Sequence, residues 1–195
     1  MSDRELGIAL VAIARGAIGG AFGRPASPVR AHAALDRPGA TFVTLKQEGE
    51  LRGCIGSLEP RRPLAVDVRA NALAAAFDDP RFAPLGMREV EITTVEVSLL
   101  SPARRIDAAS EEDLLARLEP GVDGVVLELG RARATFLPQV WESLPEPRDF
   151  VGALKRKAGL PEHFWSPEIR VSRYAVTRWR QAEFDTELAT DEGIR

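Results

Sequence analysis

Phe42-Val43-Thr44-Leu45-Lys46-Gln47-Glu48-Gly49-Glu50-Leu51-Arg52-Gly53-Cys54-Ile55-Gly56-Ser57-Leu58 is the stretch whose pattern settles the fold class. Phe42 to Leu45 is β-prone, Gln47 to Glu50 is polar and offers Gly49 for a positive φ, and the apolar pattern resumes from Leu51 to Leu58. Two such runs around a short glycine-bearing turn read as an antiparallel hairpin. Val125 to Leu129 and Ala132 to Leu137, flanking Gly130-Arg131, repeat the pattern. Glu91 to Leu100 is the clearest single strand, with Val95, Val97 and Leu99 pointing one way and Glu96 and Ser98 the other. Ile169 to Trp179 alternates well enough for a final strand.

Helices occupy the intervals. Ser2-Asp3-Arg4-Glu5 reads as a capping box ahead of an apolar stripe of Leu6, Leu10, Ile13, Ala17 and Ala21, which glycines bring to an end near Phe22. Gly23 to Gly39, with three prolines, is a loop. Leu64 to Phe77 forms a helix with Leu64, Val68 and Ala72 on one face, Pro63 in its first turn and Asp78-Asp79-Pro80 as its stop. Ser110 opens a helix that turns Leu114, Leu115 and Leu118 inward; Pro147 opens another, with Phe150, Val151, Leu154 and Ala158 inward and Gly159 as a left-handed cap. Hairpins mixed with helices, without regular βαβα alternation, indicate an α+β fold with a mainly antiparallel sheet and flanking helices. The polar tail, residues 185–195, reads as loose.

Composition narrows the function classes. A chain of 195 residues is one domain of ordinary size, or one domain with two lobes. Lys and Arg number 26 against 29 Asp and Glu, a net charge of −3 that disfavours a dedicated duplex-binding domain. One Cys and two His exclude an internal disulfide and zinc sites of four cysteines or of two cysteines and two histidines. No apolar run approaches the ~18–20 residues of a membrane span, so the sequence reads as a soluble cytoplasmic protein with a reduced thiol.

Chemistry concentrates around Cys54. Two glycines inside a strand mark a bulge or a close approach by another backbone or a ligand. Here Gly53 and Gly56 are read as clearing space for a ligand. In a regular strand Arg52, Cys54 and Gly56 share one face, with Arg52 and Cys54 about 6–7 Å apart. A guanidinium at that distance favours a thiolate by roughly 2.8 kcal/mol at an effective dielectric of ~20 but only by roughly 0.7 kcal/mol in bulk water. The competing reading makes Cys54 a small buried hydrophobe with Arg52 reaching past it. Neither His32 nor His163 has a spacing that implies proximity to Cys54, so no complete catalytic triad is implied.

Other polar residues carry two readings each. Asp79 and Arg81, in Asp78-Asp79-Pro80-Arg81-Phe82, are either a helix stop with a surface ion pair or a pair on a loop beside the cysteine hairpin. Asn71, on an Ala-rich helix, is either solvent-facing or an amide that fixes a polar ligand. Phe136 to Trp141 reads as a core junction, and Lys155-Arg156-Lys157 as a helix C-terminal charge cluster. Arg170, Arg173, Arg178 and Arg180 on the last strand could form a local basic strip, the one feature that suits an RNA-binding module. There is no P-loop or Rossmann glycine pattern, no HExxH and no GxSxG.

Four segments together, Leu51 to Gly56, Asp79-Pro80-Arg81-Phe82, Phe136 to Trp141 and Lys157-Ala158-Gly159-Leu160, resemble the AMMECR domain family, and within it the AmmeMemoRadiSam system A proteins, over about Phe42 to Tyr174. The resemblance implies a single AMMECR-type domain with an α+β fold in two unequal lobes, and places the arginine-glycine-cysteine-isoleucine-glycine segment at a cleft. It also implies association with a radical-SAM protein and a Memo-like protein, with no established activity for the A protein itself. No cofactor is implied, since one cysteine cannot hold an iron–sulfur cluster and any radical chemistry would belong to a partner. The expected role is accessory or substrate-handling. A small-molecule or peptide site is expected around Arg52, Gly53, Cys54, Gly56, Asn71, Asp79 and Arg81. The alternative is a stand-alone enzyme with Cys54 as nucleophile.

Overall fold

The computed structural model describes residues 3–25, 28–186 and 188, so Ser2 of the expected capping box and nearly all of the expected loose tail lie outside the described residues. The chain divides into two compact units, one built from residues 1–100 and 177–195 and the other from residues 101–176.

The first unit contains helices α1 (Asp3–Ala21) and α2 (Leu64–Phe77) and strands β1 (Pro38–Gln47), β2 (Glu50–Gly56), β3 (Arg62–Pro63), β4 (Thr93–Leu100) and β9 (Val176–Arg180). Its sheet runs β2-β1-β4-β9, with β3 paired to the start of β1. Both helices pack on one sheet face: Leu10, Val11, Ala14, Val68, Ala72, Val43, Leu45 and Val97 are within one apolar cluster, each fully buried. β4 alternates as expected, with Val95 and Val97 in this core and Glu96 and Ser98 on the opposite face. α1 buries more than the expected stripe, because it meets both α2 and the sheet; Ile8, Val11 and Ile18 are buried as well, while Ala21 is exposed.

The hairpin β1–β2 turns through Glu48 and Gly49, both at positive φ (51° and 89°), the backbone signature of a tight two-residue hairpin turn. Lys46 stands opposite Leu51, but Leu45 stands opposite Gly53. Arg52 is therefore an extra residue, a β-bulge in the edge strand. The regular strand expected here is corrected at this point.

The second unit holds β5 (Arg104–Ile106), α3 (Glu111–Arg117), β6 (Gly124–Leu129), β7 (Ala132–Phe136), α4 (Pro147–Lys157) and β8 (Arg170–Tyr174), with sheet order β5-β8-β6-β7. Ser110 caps α3 by accepting the Asp113 N–H at 3.2 Å. The Phe136–Trp141 segment is a core junction, as expected: the Trp141 ring stacks on Phe150 with centroids 3.7 Å apart, and its indole N–H donates to the Asp123 carbonyl at 2.7 Å. Lys155, Arg156 and Lys157 lie in the last turn of α4, as expected, and Lys155 turns inward. It is fully buried, donating to Glu111 at 2.7 Å and to the Phe164 carbonyl at 3.1 Å.

The expected final strand is two strands. β8 and β9 break at Ala175 and enter different sheets, so Arg170 and Arg173 belong to one sheet and Arg178 and Arg180 to the other rather than to one continuous strand. Among the described residues no helix is long and apolar enough to cross a membrane.

Gly53 faces α2 so closely that a β-carbon there would lie 2.2 Å from the Ala75 carbonyl oxygen. Gly53→Ala must push helix and strand apart, and we expect a loss of about 3 kcal/mol of stability in urea denaturation. A loss under about 1 kcal/mol would show that α2 can slide off β2 without cost.

Candidate functional site

The bulge decides which way the cysteine points. Past it, Cys54 stands opposite Thr44 and Ile55 opposite Val43. Val43 is fully buried beneath the helices, so Ile55 turns to that core and Cys54 to the other face, where it is half-buried. The Thr44 hydroxyl donates to Cys54 Sγ at 3.3 Å.

The backbone of Cys54 is held from outside the sheet. β2 is an edge strand, and an edge leaves N–H and C=O groups without a neighbouring strand. The Asp79 carboxylate accepts the Cys54 N–H at 2.8 Å, and Arg81 Nη2 donates to the Cys54 carbonyl at 3.3 Å. The Arg81 guanidinium also donates two hydrogen bonds to Asp79, at 2.7 and 3.0 Å, and the Arg81 N–H a third at 3.1 Å. The Asp79 side chain is 2% exposed. The reading of a surface ion pair is thereby corrected: the pair stands in for a missing strand at the cysteine. Its hydrogen bonds to Arg81, aided by the N–H groups of Cys54 and Arg81, hold the Asp79 carboxyl well below the usual carboxylate range despite burial. Arg81 is raised in turn, first by those hydrogen bonds, with smaller Coulombic contributions from Asp79 and Cys54.

Arg52 does not share the face of Cys54. The bulge turns Cys54 to the other face, and the Arg52 guanidinium makes a bidentate pair with Glu89, at 2.9 and 3.2 Å. Glu89 also accepts from Gln47, whose amide reaches Thr93 at 2.9 Å, and Thr93 is buried. Arg52 and Arg81 both approach the Phe82 ring, at 5.9 and 5.5 Å from its centroid. The cation that reaches Cys54 is Arg81 rather than Arg52. Glu89 is lowered to about 2, chiefly by the Arg52 hydrogen bonds and next by the Gly86 N–H.

Neither glycine opens space for a ligand. Gly53 is filled by α2, and a β-carbon at Gly56 would lie 2.2 Å from the Phe42 ring and 2.6 Å from the Thr41 carbonyl oxygen. The expected clearance is corrected: both positions admit the protein's own atoms. Asn71 is neither solvent-facing nor turned to a ligand. It is 3% exposed, and its amide donates to the Thr41 carbonyl and to Asp67, both at 2.9 Å. Asp67, a residue the sequence reading passed over, is the hub there. Besides Asn71 it accepts from Thr41 N–H, Thr41 Oγ1, Ser57 Oγ and Arg62 Nε at 2.7–2.9 Å. This network pins the end of the hairpin to α2. Among the described residues no cluster of three or more His, Cys, Asp or Glu is placed to hold a metal ion.

An α+β protein with a cysteine on a clamped edge strand is thus defined by its own geometry. The chain belongs to the AMMECR1 family, whose model matches residues 11–179. It is 41% identical to a protein of Methanothermobacter thermautotrophicus over 68% of this chain and 70% of that one. It is 38% identical to a Thermotoga maritima protein over 74% and 79% of the two chains. The crystal structure of the uncharacterized protein PH0010 from Pyrococcus horikoshii is similar, with a TM-score of 0.76, 30% identity and coverage of 92% and 93%.

The lowered carboxyls make the clamp sensitive to acid. Stability supplied by Asp79 and Glu89 is fully present above their unfolded values of 3.8 and 4.5 and is lost as pH falls through the depressed folded values. We expect the urea midpoint to fall between about pH 5 and pH 2, and to fall less steeply in Asp79→Asn and Glu89→Gln. Equal slopes in variants and wild type would show that the two pairs contribute nothing to folding.

Proposed function

We propose that this AMMECR1-family chain is an accessory or substrate-handling component of a system that includes a radical-SAM protein and a Memo-like protein. Its ligand site, for a small molecule or a peptide, is the sheet face that carries Cys54. The observation that carries the reading is the double clamp on Cys54. Its N–H and its carbonyl are each fixed by a charged side chain, while its thiol faces away from the helix-packed core with a hydroxyl 3.3 Å away. A functional side chain must be held to a fraction of an ångström, and rigid elements with supporting hydrogen bonds do this better than loops. A cysteine needed only for packing requires no such fixing of its backbone by ionic groups. In this reading Asp79 and Arg81 position Cys54, Asn71 stiffens the hairpin through Asp67, and Arg52 orders the loop at Glu89.

Two measurements test it. Tagged full-length protein should retain a radical-SAM or a Memo-like protein from the same source during co-purification; retention of neither removes the partner assignment. Iodoacetamide should label Cys54 in the native protein. Labelling that requires denaturant would make the cysteine a packing residue and remove the site.

A further inference from the structure

The register of the sheet aligns more than the cysteine. Thr44 stands opposite Cys54 on β2 and opposite Glu96 on β4. On β9, the strand beside β4, Arg178 directs its Nε toward Glu96 Oε1 at 3.7 Å. Cys54, Thr44 and Glu96 therefore form one row across three adjacent strands, on the face opposite the helices, and Arg178 reaches its Glu96 end from β9. Lys46 and Arg180 flank it and reach the other Glu96 oxygen at 3.5 and 3.3 Å.

The electrostatics at the Glu96 end are unlike those of the structural pairs. Arg52–Glu89, Arg62–Asp67 and Arg81–Asp79 close at 2.7–2.9 Å. Around Glu96 three cations approach one carboxylate whose side chain is 9% exposed, at 3.3–3.7 Å. Glu183 takes up part of the excess through Arg180, at 3.8 Å. The Arg178 guanidinium makes no hydrogen bond among the described residues, only the 3.7 Å approach to Glu96, although the side chain is only 32% exposed. A partly buried guanidinium holds five donors, and here the one protein acceptor they approach is Glu96, at a long distance. Excess positive charge with unspent donors is what a fixed oxyanion site requires.

We propose that this row binds a small molecule bearing an oxyanion, a carboxylate or a phosphate. The oxyanion is held by Arg178 with Lys46 and Arg180, and the far end of the molecule lies at the Cys54 thiol. Glu96 is a positioning residue that gathers the cations. From Arg178 on β9 to Cys54 on β2 is three strand spacings, about 14 Å between backbones, which bounds the span of the molecule. The inference rests on the Cys54 face being the ligand site and specifies what that site takes.

The test is a titration of the full chain at low ionic strength with inorganic phosphate and, separately, acetate, read by NMR on the arginine Nε–H signals. At least one anion is expected to saturate with one-to-one stoichiometry and to move the Arg178 signal; the one that does identifies the oxyanion. Arg178→Gln should weaken that binding about tenfold or more, and Arg131→Gln, a charge-matched change in the exposed β6–β7 turn, should not. Lys46→Gln, expected to weaken it too, gives an independent reading should Arg178→Gln disturb the sheet. Saturation by neither anion, equal binding in wild type and Arg178→Gln, or an equal loss in Arg131→Gln overturns the proposal. A negative titration leaves the co-purification and labelling results as they stand, because neither depends on an anion.

Discussion

One inserted residue governs the site. With Gln47 opposite Glu50 and Lys46 opposite Leu51, an uninterrupted ladder would set Thr44 against Gly53 and Val43 against Cys54. Paired residues share a face, so Cys54 would then point into the helix-packed core beside Val43, and Gly53 would point away from it. Arg52 shifts every residue beyond it by one. The shift gives α2 a glycine where the Ala75 carbonyl needs one and turns the thiol to the face that also carries Thr44 and Glu96. Helix packing and thiol orientation follow from the same bulge and cannot be altered separately.

The clamp at Asp79 and Arg81 solves a second problem with the same atoms. An edge strand offers its free N–H and C=O groups to any passing chain, and proteins commonly block such edges with charge. Here the blocking carboxylate is 2% exposed and is itself satisfied by Arg81, so it is not left as an uncompensated buried charge. The loop that follows α2 brings both residues to the edge, and the stop signal Asp78-Asp79-Pro80 is therefore also the origin of the clamp. Termination of a helix, protection of an edge and immobilisation of Cys54 are three consequences of one short segment.

Local signals were legible in the sequence. α2 spans Leu64–Phe77 as its Ala- and Leu-rich pattern implies, the two hairpins stand where their turns place them, and the α+β class follows from their order. Relations between distant segments were not. A one-residue bulge leaves the alternation of apolar residues on either side intact, so Arg52 looked like a regular strand residue beside Cys54. The alternation from Ile169 to Trp179 continues through Ala175 although the chain changes sheets there, because each half independently keeps a strand's period. Asn71 reads ambiguously because two of its partners, Thr41 and Ser57, lie 30 and 14 residues away. Asp67 carries no local signal beyond an acid in the first turn of α2, where the helix dipole favours one. Cys54, Asp79 and Arg81 stand out in the sequence by residue type and are brought together in the structure. Thr44 and Glu96 required the register.

The ionic groups of the first unit sort by geometry into two kinds. Where a charge fixes backbone or closes a loop, as Asp67, Asp79 and Glu89 do, its lone pairs are filled at short range by named donors. Such pairs resist rearrangement, because breaking one leaves the other charge poorly solvated. Around Glu96 the contacts are long and the cations outnumber the carboxylate, so little is lost when a guanidinium turns to a new acceptor. A fold can hold such an arrangement only where the surrounding sheet is already stable without it. The apolar cluster under α1 and α2 supplies that stability from the opposite face, while Lys46, Glu96, Arg178 and Arg180 stand on the outer face of β1, β4 and β9.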